Sequence, residues 1–93
     1  MEKIKKLIKN GDDFQKLLDL LINRVKNNEG ISNNPMLDGF IISFMISKDK
    51  ITRDFFLDEY TGMLLDSTLQ QLEQIAIWVS INENALCDIY NNV

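Results

Sequence analysis

The sequence contains no histidine, which removes the side chain that most often acts as a general base or a metal ligand. Its four glycines are isolated from one another, so no glycine-rich phosphate loop is present. The acidic residues lack the spacing and the turn glycine of a calcium loop. A Ser-x-x-Lys pattern at residues 47–50 stands without its companion motifs. We therefore expect a non-enzymatic protein with no catalytic residue, no cofactor and no metal site.

Cysteine and long apolar runs are also scarce. Cys87 is the only cysteine and cannot form an internal disulfide, which fits a reducing compartment. The apolar runs reach about a dozen residues, short of the ~20 that a helix needs to cross a bilayer. The N-terminal lysines are not followed by the apolar core of a secretory signal. We expect a cytoplasmic protein without membrane association.

Basic residues almost disappear after the middle of the chain. Residues 51–93 contain one basic residue, Arg53, against seven acidic residues, while residues 1–9 contain four lysines and one glutamate. The acidic half should repel the phosphates of nucleic acids and membranes and attract basic proteins. A recognition helix needs donors for base edges and phosphates, and residues 66–93 contain no lysine or arginine. The sequence thus argues against direct nucleic-acid binding and against a helix-turn-helix regulator.

The single proline and few glycines favour helices, and 93 residues form one domain, residues 1–93. In the N-terminal part, apolar residues recur in alternating steps of three and four, which indicates helix. Gly11 interrupts this pattern, and Asp12 could cap a new helix after it. Residues 1–28 therefore form either one kinked helix or two nearly collinear ones, and the glycine favours a break.

A very apolar helix is predicted at residues 35–48. Asn34 supplies a capping side chain and Pro35 a suitable first residue. Asp38 lies in the first turn, where a carboxylate suits the helix dipole. Small residues line up at Gly39, Ser43 and Ser47, and apolar side chains cover most of the remaining circumference. A helix of this kind is typical of the inside of a bundle.

Two further helices are predicted in the acidic half. Thr52 could cap a helix over residues 53–65, with Phe56 facing inward, and the last helix would begin near Asp66 and Ser67. The last helix has a heptad pattern and, beside it, a second apolar strip formed by Ile75, Trp78 and Ile81. The fold class is therefore all-α, a bundle of four to five helices with an apolar central helix. The alternative is an α+β fold, because residues 40–46 and 75–81 are rich in aromatic and β-branched residues and Asp38-Gly39 is a hairpin-turn dipeptide.

The first functional hypothesis is a small acidic protein that occludes a basic, nucleic-acid-processing protein. Antitoxins, bacteriocin-type immunity proteins and phage inhibitors of host defence have this general profile, and frequent Asn, Ile and Lys suit an AT-rich bacterial or phage genome. The analogy rests on composition alone. Trp78 could anchor an interface, although packing in the core is the simpler role for a single tryptophan. The candidate partner-binding residues are Asp54, Asp58, Glu59, Asp66, Glu73 and Trp78.

The second hypothesis is a helical homodimer with a structural or assembly role. A chain of this length buries only about 60–65% of its unfolded surface, so it is marginal as a monomer. In that case the strip formed by Ile75, Trp78 and Ile81 would pack against its own copy. The two hypotheses are compatible, because a dimeric inhibitor satisfies both.

Overall fold

The chain folds into a small bundle of α-helices, which confirms the all-α prediction. The computed structural model describes residues 1–58 and 66–92, apart from the side chain of Asp66, and these residues contain no strand. Residues 40–46 and 75–81 are helical, so the α+β alternative is wrong. The helices are α1 (Glu2–Leu7), α2 (Gly11–Lys26), α3 (Pro35–Ser47), α4 (Asp49–Phe56) and α5 (Asp66–Asn91).

The N-terminal apolar pattern is divided into two helices, and the break lies just before Gly11, as the glycine indicates. The capping residue is Asn10, whose Oδ1 accepts a hydrogen bond from the backbone N–H of Asp13 at 2.9 Å. Asp13 in turn accepts a bond from the backbone N–H of Lys9 at 3.0 Å. The prediction of Asp12 as the cap was wrong by two residues, because Asn10 caps equally well and Gly11 is accommodated in the first turn.

The start of α3 follows the predicted pattern. Asn34 has an extended backbone, and its Oδ1 accepts a hydrogen bond from the N–H of Leu37 at 3.1 Å. Pro35 is the first residue of the helix, where a missing N–H has no consequence. The local signals therefore place the N-terminus of α3 correctly.

The surroundings of α3 differ from the prediction, because the helix is not enclosed. One side packs on α2 and α4, while Met36, Phe40 and Ile46 remain 86%, 52% and 49% exposed. The small residues do not admit a close neighbour, since a Cβ built on Gly39 would have no atom within 4 Å. An apolar helix in the middle of the sequence thus covers the core with one side and presents apolar side chains to solvent with the other.

The fourth helix begins earlier than predicted. Lys48 separates α3 from α4, and its carbonyl already accepts a hydrogen bond from the backbone N–H of Thr52 at 2.9 Å. Thr52 therefore lies inside α4, fully buried, and the prediction that it caps the helix was wrong. The helix ends at Phe56, which is buried as predicted, and residues 59–65 of the predicted helix lie outside the described residues.

The core is centred on α2, which packs against α3, α4 and α5. Three positions of the heptad pattern of α5, Leu72, Val79 and Leu86, are buried, whereas Leu69 of the same pattern is 47% exposed. Phe14 of α2 and Phe56 of α4 contact each other with ring centroids 5.6 Å apart. In the described part of the chain, no helix is both long and apolar enough to span a membrane.

The short helix α1 is held against α5 by polar contacts as well as by apolar packing. Glu83 interrupts the heptad pattern of α5, and its Oε2 accepts a hydrogen bond from the backbone N–H of Ile4 at 3.3 Å. The same oxygen lies 2.9 Å from the amino group of Met1. Lys3 Nζ donates to Oδ1 of Asn84 at 3.1 Å. A carboxylate at this place satisfies a backbone donor of the first turn and suits the helix dipole of α1.

Candidate protein-binding groove

An open groove of about 580 Å³ lies between α5 and the region where the loop of residues 30–34 leads into α3. Leu37 of α3 forms one side, and Ile77 and Ile81 of α5 form the other. Polar side chains at its rim are uncharged. Among the described residues, the lining consists of Ile31, Ser32, Asn33, Asn34, Leu37, Gln74, Ile77, Trp78, Ile81 and Asn82.

Large apolar side chains are exposed on both sides of this groove. Ile77 and Ile81 are 61% and 76% exposed, and Leu37 is 39% exposed. Met36 and Phe40, on the same helix as Leu37, are also exposed, although they do not line the groove. Single exposed apolar residues are ordinary, but a contiguous apolar surface with a polar rim is typical of a protein-binding site.

The groove is built over a buried carboxylate, that of Asp38, which is 0% exposed. Its Oδ2 accepts hydrogen bonds from the backbone N–H groups of Ile31 and Ser32, both at 2.9 Å. Its Oδ1 accepts one from the indole N–H of Trp78 at 3.0 Å and another from the Ser32 hydroxyl. One side chain therefore ties together the first turn of α3, the preceding loop and the middle of α5.

The hydrogen bonds also determine the charge state of Asp38. Burial of the carboxyl group raises its pKa, because desolvation disfavours the charged form. The hydrogen bonds from Ser32, Ile31 and Trp78 favour the charged form and outweigh burial, so the pKa of Asp38 lies below its ordinary value of 3.8. Asp38 is thus a carboxylate at neutral pH, with its acceptor sites occupied. This role is structural.

The loop that forms one end of the groove is also fixed at its beginning. Gly30 has a φ of 70°, a left-handed conformation that glycine adopts readily. The carbonyl of Gly30 accepts a hydrogen bond from Nε of Arg24 at 2.9 Å. Together with Asp38, these contacts give the loop a defined conformation before any ligand binds.

The predicted acidic surface is partly neutralised. Asp54 forms ion pairs with Lys50 at 3.0 Å and Arg53 at 3.7 Å, and Asp58, just after α4, pairs with Lys5. In the part of the chain that the structure describes, Glu73 of α5 is exposed and takes part in no ion pair. Glu59 and the side chain of Asp66 lie outside the described residues. Of the predicted acidic surface, Glu73 therefore has the clearest free charge.

The predicted apolar strip of α5 is mostly internal. Ile75 is 0% exposed and Trp78 is 3% exposed, so both are core residues in the isolated chain. The prediction that these two residues and Ile81 together form a surface strip for a second copy was therefore wrong. The exposed residues are Ile77 and Ile81, one helical turn apart. The nearly buried side chain of Trp78 is part of the lining of the groove. A direct contact between Trp78 and a partner stays a prediction.

The buried role of Asp38 and the exposure of Leu37 and Ile77 were not predicted from the sequence. Asp38 had a sufficient local explanation as a first-turn carboxylate, and its partner Trp78 lies 40 residues away. A local feature beside this buried acceptor is the turn at residues 32–34, in which the Ser32 hydroxyl accepts a hydrogen bond from the backbone N–H of Asn34 at 3.2 Å. Leu37 and Ile77 look like any other apolar residue of an apolar helix.

No protein-family model matches the chain, and no curated protein or solved structure shows significant similarity to it. The site must therefore be interpreted from its own chemistry. Within residues 1–58 and 66–92, no cluster of three or more potential metal ligands occurs. The groove is lined by apolar and amide side chains, and the carboxylate of Glu73 lies next to its lining residue Gln74 in the sequence of α5.

Proposed function

We propose that this chain is a small, non-enzymatic binding protein that occludes a basic protein partner, and that the groove between α3 and α5 is its binding site. The observation that carries the proposal is the contiguous exposure of Leu37, Ile77 and Ile81 above the buried Asp38–Trp78 pair. Apolar residues in the centre of a contact surface, held in place before binding, provide most of the affinity of typical interfaces.

The charge distribution supports a basic partner. From Asp66 onward the chain contains no lysine or arginine, and Glu73 lies one turn before Ile77 on α5. Positive charge on a partner would be attracted to this side of the groove, which raises the rate of association and makes it sensitive to salt. An inhibitor, an antitoxin or an immunity protein of a bacterium, phage or mobile element would act in this way.

A homodimer is the second candidate function. Within residues 1–58 and 66–92, the residues that line the groove are uncharged, so two copies could approach there without burying an unpaired charge from these residues. A structural or assembly protein would use the same apolar surface, formed by Leu37, Ile77 and Ile81 in place of the strip that the sequence indicated.

Affinity capture from nuclease-treated bacterial lysate tests the main proposal, with the wild-type chain and the Ile77→Asp variant as baits. Ile77 is 61% exposed, so the substitution should leave the fold intact while placing a charge in the groove. Ile46→Asp is the matched control, because Ile46 is half exposed on α3 and does not line the groove. Circular dichroism checks that all three baits are equally helical.

We expect the wild-type chain and Ile46→Asp to capture the same basic protein at low salt and to release most of it at high salt. The Ile77→Asp variant should not capture this protein. Equal capture by all three baits would place the binding surface elsewhere. Recovery of the bait alone at both salt concentrations would contradict occlusion of a partner and favour the homodimer.

A further inference from the structure

We infer that the groove binds an α-helix of the partner, amphipathic and basic at one end, and this inference rests on the proposed function. The lining residues of α5 lie within a helix, so their backbone N–H and C=O groups are paired there. On the other side of the groove, the N–H group of Leu37 donates to the Asn34 side chain, and those of Ile31 and Ser32 donate to Asp38. The groove therefore offers no sheet edge to which an extended segment could add a strand.

The partner must accordingly satisfy its own backbone hydrogen bonds. An extended peptide placed on Leu37, Ile77 and Ile81 would bury N–H and C=O groups against apolar side chains, and unpaired polar groups are costly there. A helix buries only side chains, because its backbone groups are already paired. A helix also fits beside two others at an axis separation of roughly 8–10 Å, the ordinary distance of helix packing.

The exposed residues of α5 set the length of the bound helix. Those that line the groove lie between Gln74 and Asn82. This part of α5 extends over about 12 Å at a rise of 1.5 Å per residue, which corresponds to about two turns of a partner helix. Such a helix would place apolar side chains at i, i+4 and i+7 against Ile77, Ile81 and Leu37.

The charge of the surface sets the polarity of that helix. Glu73 lies at one end of the groove, and the rim residues Asn33, Asn34, Gln74 and Asn82 are neutral. Lysine or arginine near Glu73 would be complementary, whereas acidic side chains would be repelled. A second copy of this chain fits less well, because it would bring another α5 without a basic residue against the same surface.

Selection from a random peptide display library tests the inference on the full-length chain, with the probe sequences unbiased toward any conformation. Wild-type protein is the target, and Ile77→Asp is used for counter-selection. We expect the enriched peptides to carry apolar residues at helical spacing together with lysine or arginine, and to become helical on binding by circular dichroism. Ile77→Asp should weaken their affinity by about tenfold or more, and Ile46→Asp should leave it unchanged.

Charge reversal provides the second readout. Glu73→Lys should weaken the selected peptides roughly two- to fivefold at low salt and reduce the dependence of affinity on salt. Asp88→Lys is the control, because it makes the same change of charge on α5 about 22 Å from Glu73. If Glu73→Lys and Asp88→Lys weakened peptide binding equally, the basic end of the bound helix could not be assigned to the end of the groove near Glu73.

Several results would overturn the inference. These are peptides that bind in an extended form, acidic peptides, the absence of enrichment, and a wild-type dimer in sedimentation that Ile77→Asp dissociates. The last result would assign the groove to a second copy. If lysate capture depends on Ile77 and the library yields no helical binder, the proposed function stands and the helical partner is wrong.

Discussion

Replacement of Asp38 by alanine should destabilise the bundle far more than an ordinary first-turn carboxylate would. The substitution leaves the backbone N–H groups of Ile31 and Ser32 and the indole N–H of Trp78 without their acceptor. Each unpaired buried donor costs about 1–3 kcal/mol, and partial hydration of the loop reduces the sum, so we expect a loss of about 3–5 kcal/mol. A domain of this size is stable by about 5–14 kcal/mol, so the variant should lose a large fraction of its free energy of unfolding.

Asp49→Ala is the matched control, because Asp49 is an exposed carboxylate in the first turn of α4. Its interaction with the helix dipole is worth about 0.3–1 kcal/mol. Urea unfolding followed by circular dichroism measures both variants, and the emission of Trp78, the only tryptophan, follows the environment of the indole. A loss below about 1 kcal/mol for Asp38→Ala, equal to that of Asp49→Ala, would refute the role of the buried network and leave only the dipole.

The effect of Asp38 should also depend on pH. Its pKa is lowered in the folded chain, so the carboxylate stabilises the fold at pH values above its ordinary pKa of 3.8. As the pH falls through the folded-state pKa, the carboxylate becomes protonated and this contribution is lost. The difference in stability between wild type and Asp38→Ala should therefore be constant near neutral pH and narrow below about pH 4. A difference that grows with acid would contradict the assigned charge state.

Two other polar groups, the buried hydroxyl of Thr52 and the partly buried hydroxyl of Tyr90, give predictions of opposite sign. Thr52→Val should leave the free energy of unfolding in urea unchanged or raise it by up to about 1 kcal/mol. The reason is that the fully buried Oγ1 of Thr52 has no hydrogen-bond partner among the described residues. A clear loss of stability would instead reveal a partner for the hydroxyl. Tyr90→Phe should cost about 1 kcal/mol, because the hydroxyl of Tyr90 donates to Oδ1 of Asp13 at 3.2 Å and joins α5 to α2. Burial, followed by the hydrogen bond and charge of Asp13, raises the pKa of Tyr90 above 10.0, so its contribution should persist to that pH and fall as the pH rises through the folded-state pKa. An equal change in stability with alkaline pH in the wild type and in Tyr90→Phe would contradict this contribution of the Tyr90 hydroxyl.

Local signals predicted the fold well where a short segment decides the structure. Asn34 and Pro35 are sufficient to begin α3, because capping acts over three or four residues. Gly11 indicated the break between α1 and α2 correctly, although it lies in the first turn of α2 and Asn10 provides the cap. Thr52 was misinterpreted for a related reason. It is a good capping residue, but Lys48 already supplies the carbonyl that continues the helix, and only the short connection between α3 and α4 makes this evident.

The candidate site was harder to predict because it depends on contacts between distant residues. The apolar pattern of α5 identifies many apolar positions without saying which side another helix covers. Ile75 and Ile77 are equally apolar in the sequence, yet one is 0% and the other 61% exposed. The pairing of Asp38 with Trp78 has no periodic signature at all. The acidic residues were visible in the sequence, but the ion pairs of Asp54 and Asp58 were not.

The contact between α1 and α5 has a consequence for the order of folding. A helix of six residues is too short to be stable alone in water, so α1 depends on its packing against the second half of α5. The hydrogen bond between Ile4 and Glu83 joins residues 79 positions apart, which makes it one of the least local contacts in the bundle. During synthesis, α1 leaves the ribosome before α2, α3 and α4, and the part of α5 that it needs follows only after them. Helix α1 therefore becomes stable only after these three helices have been made.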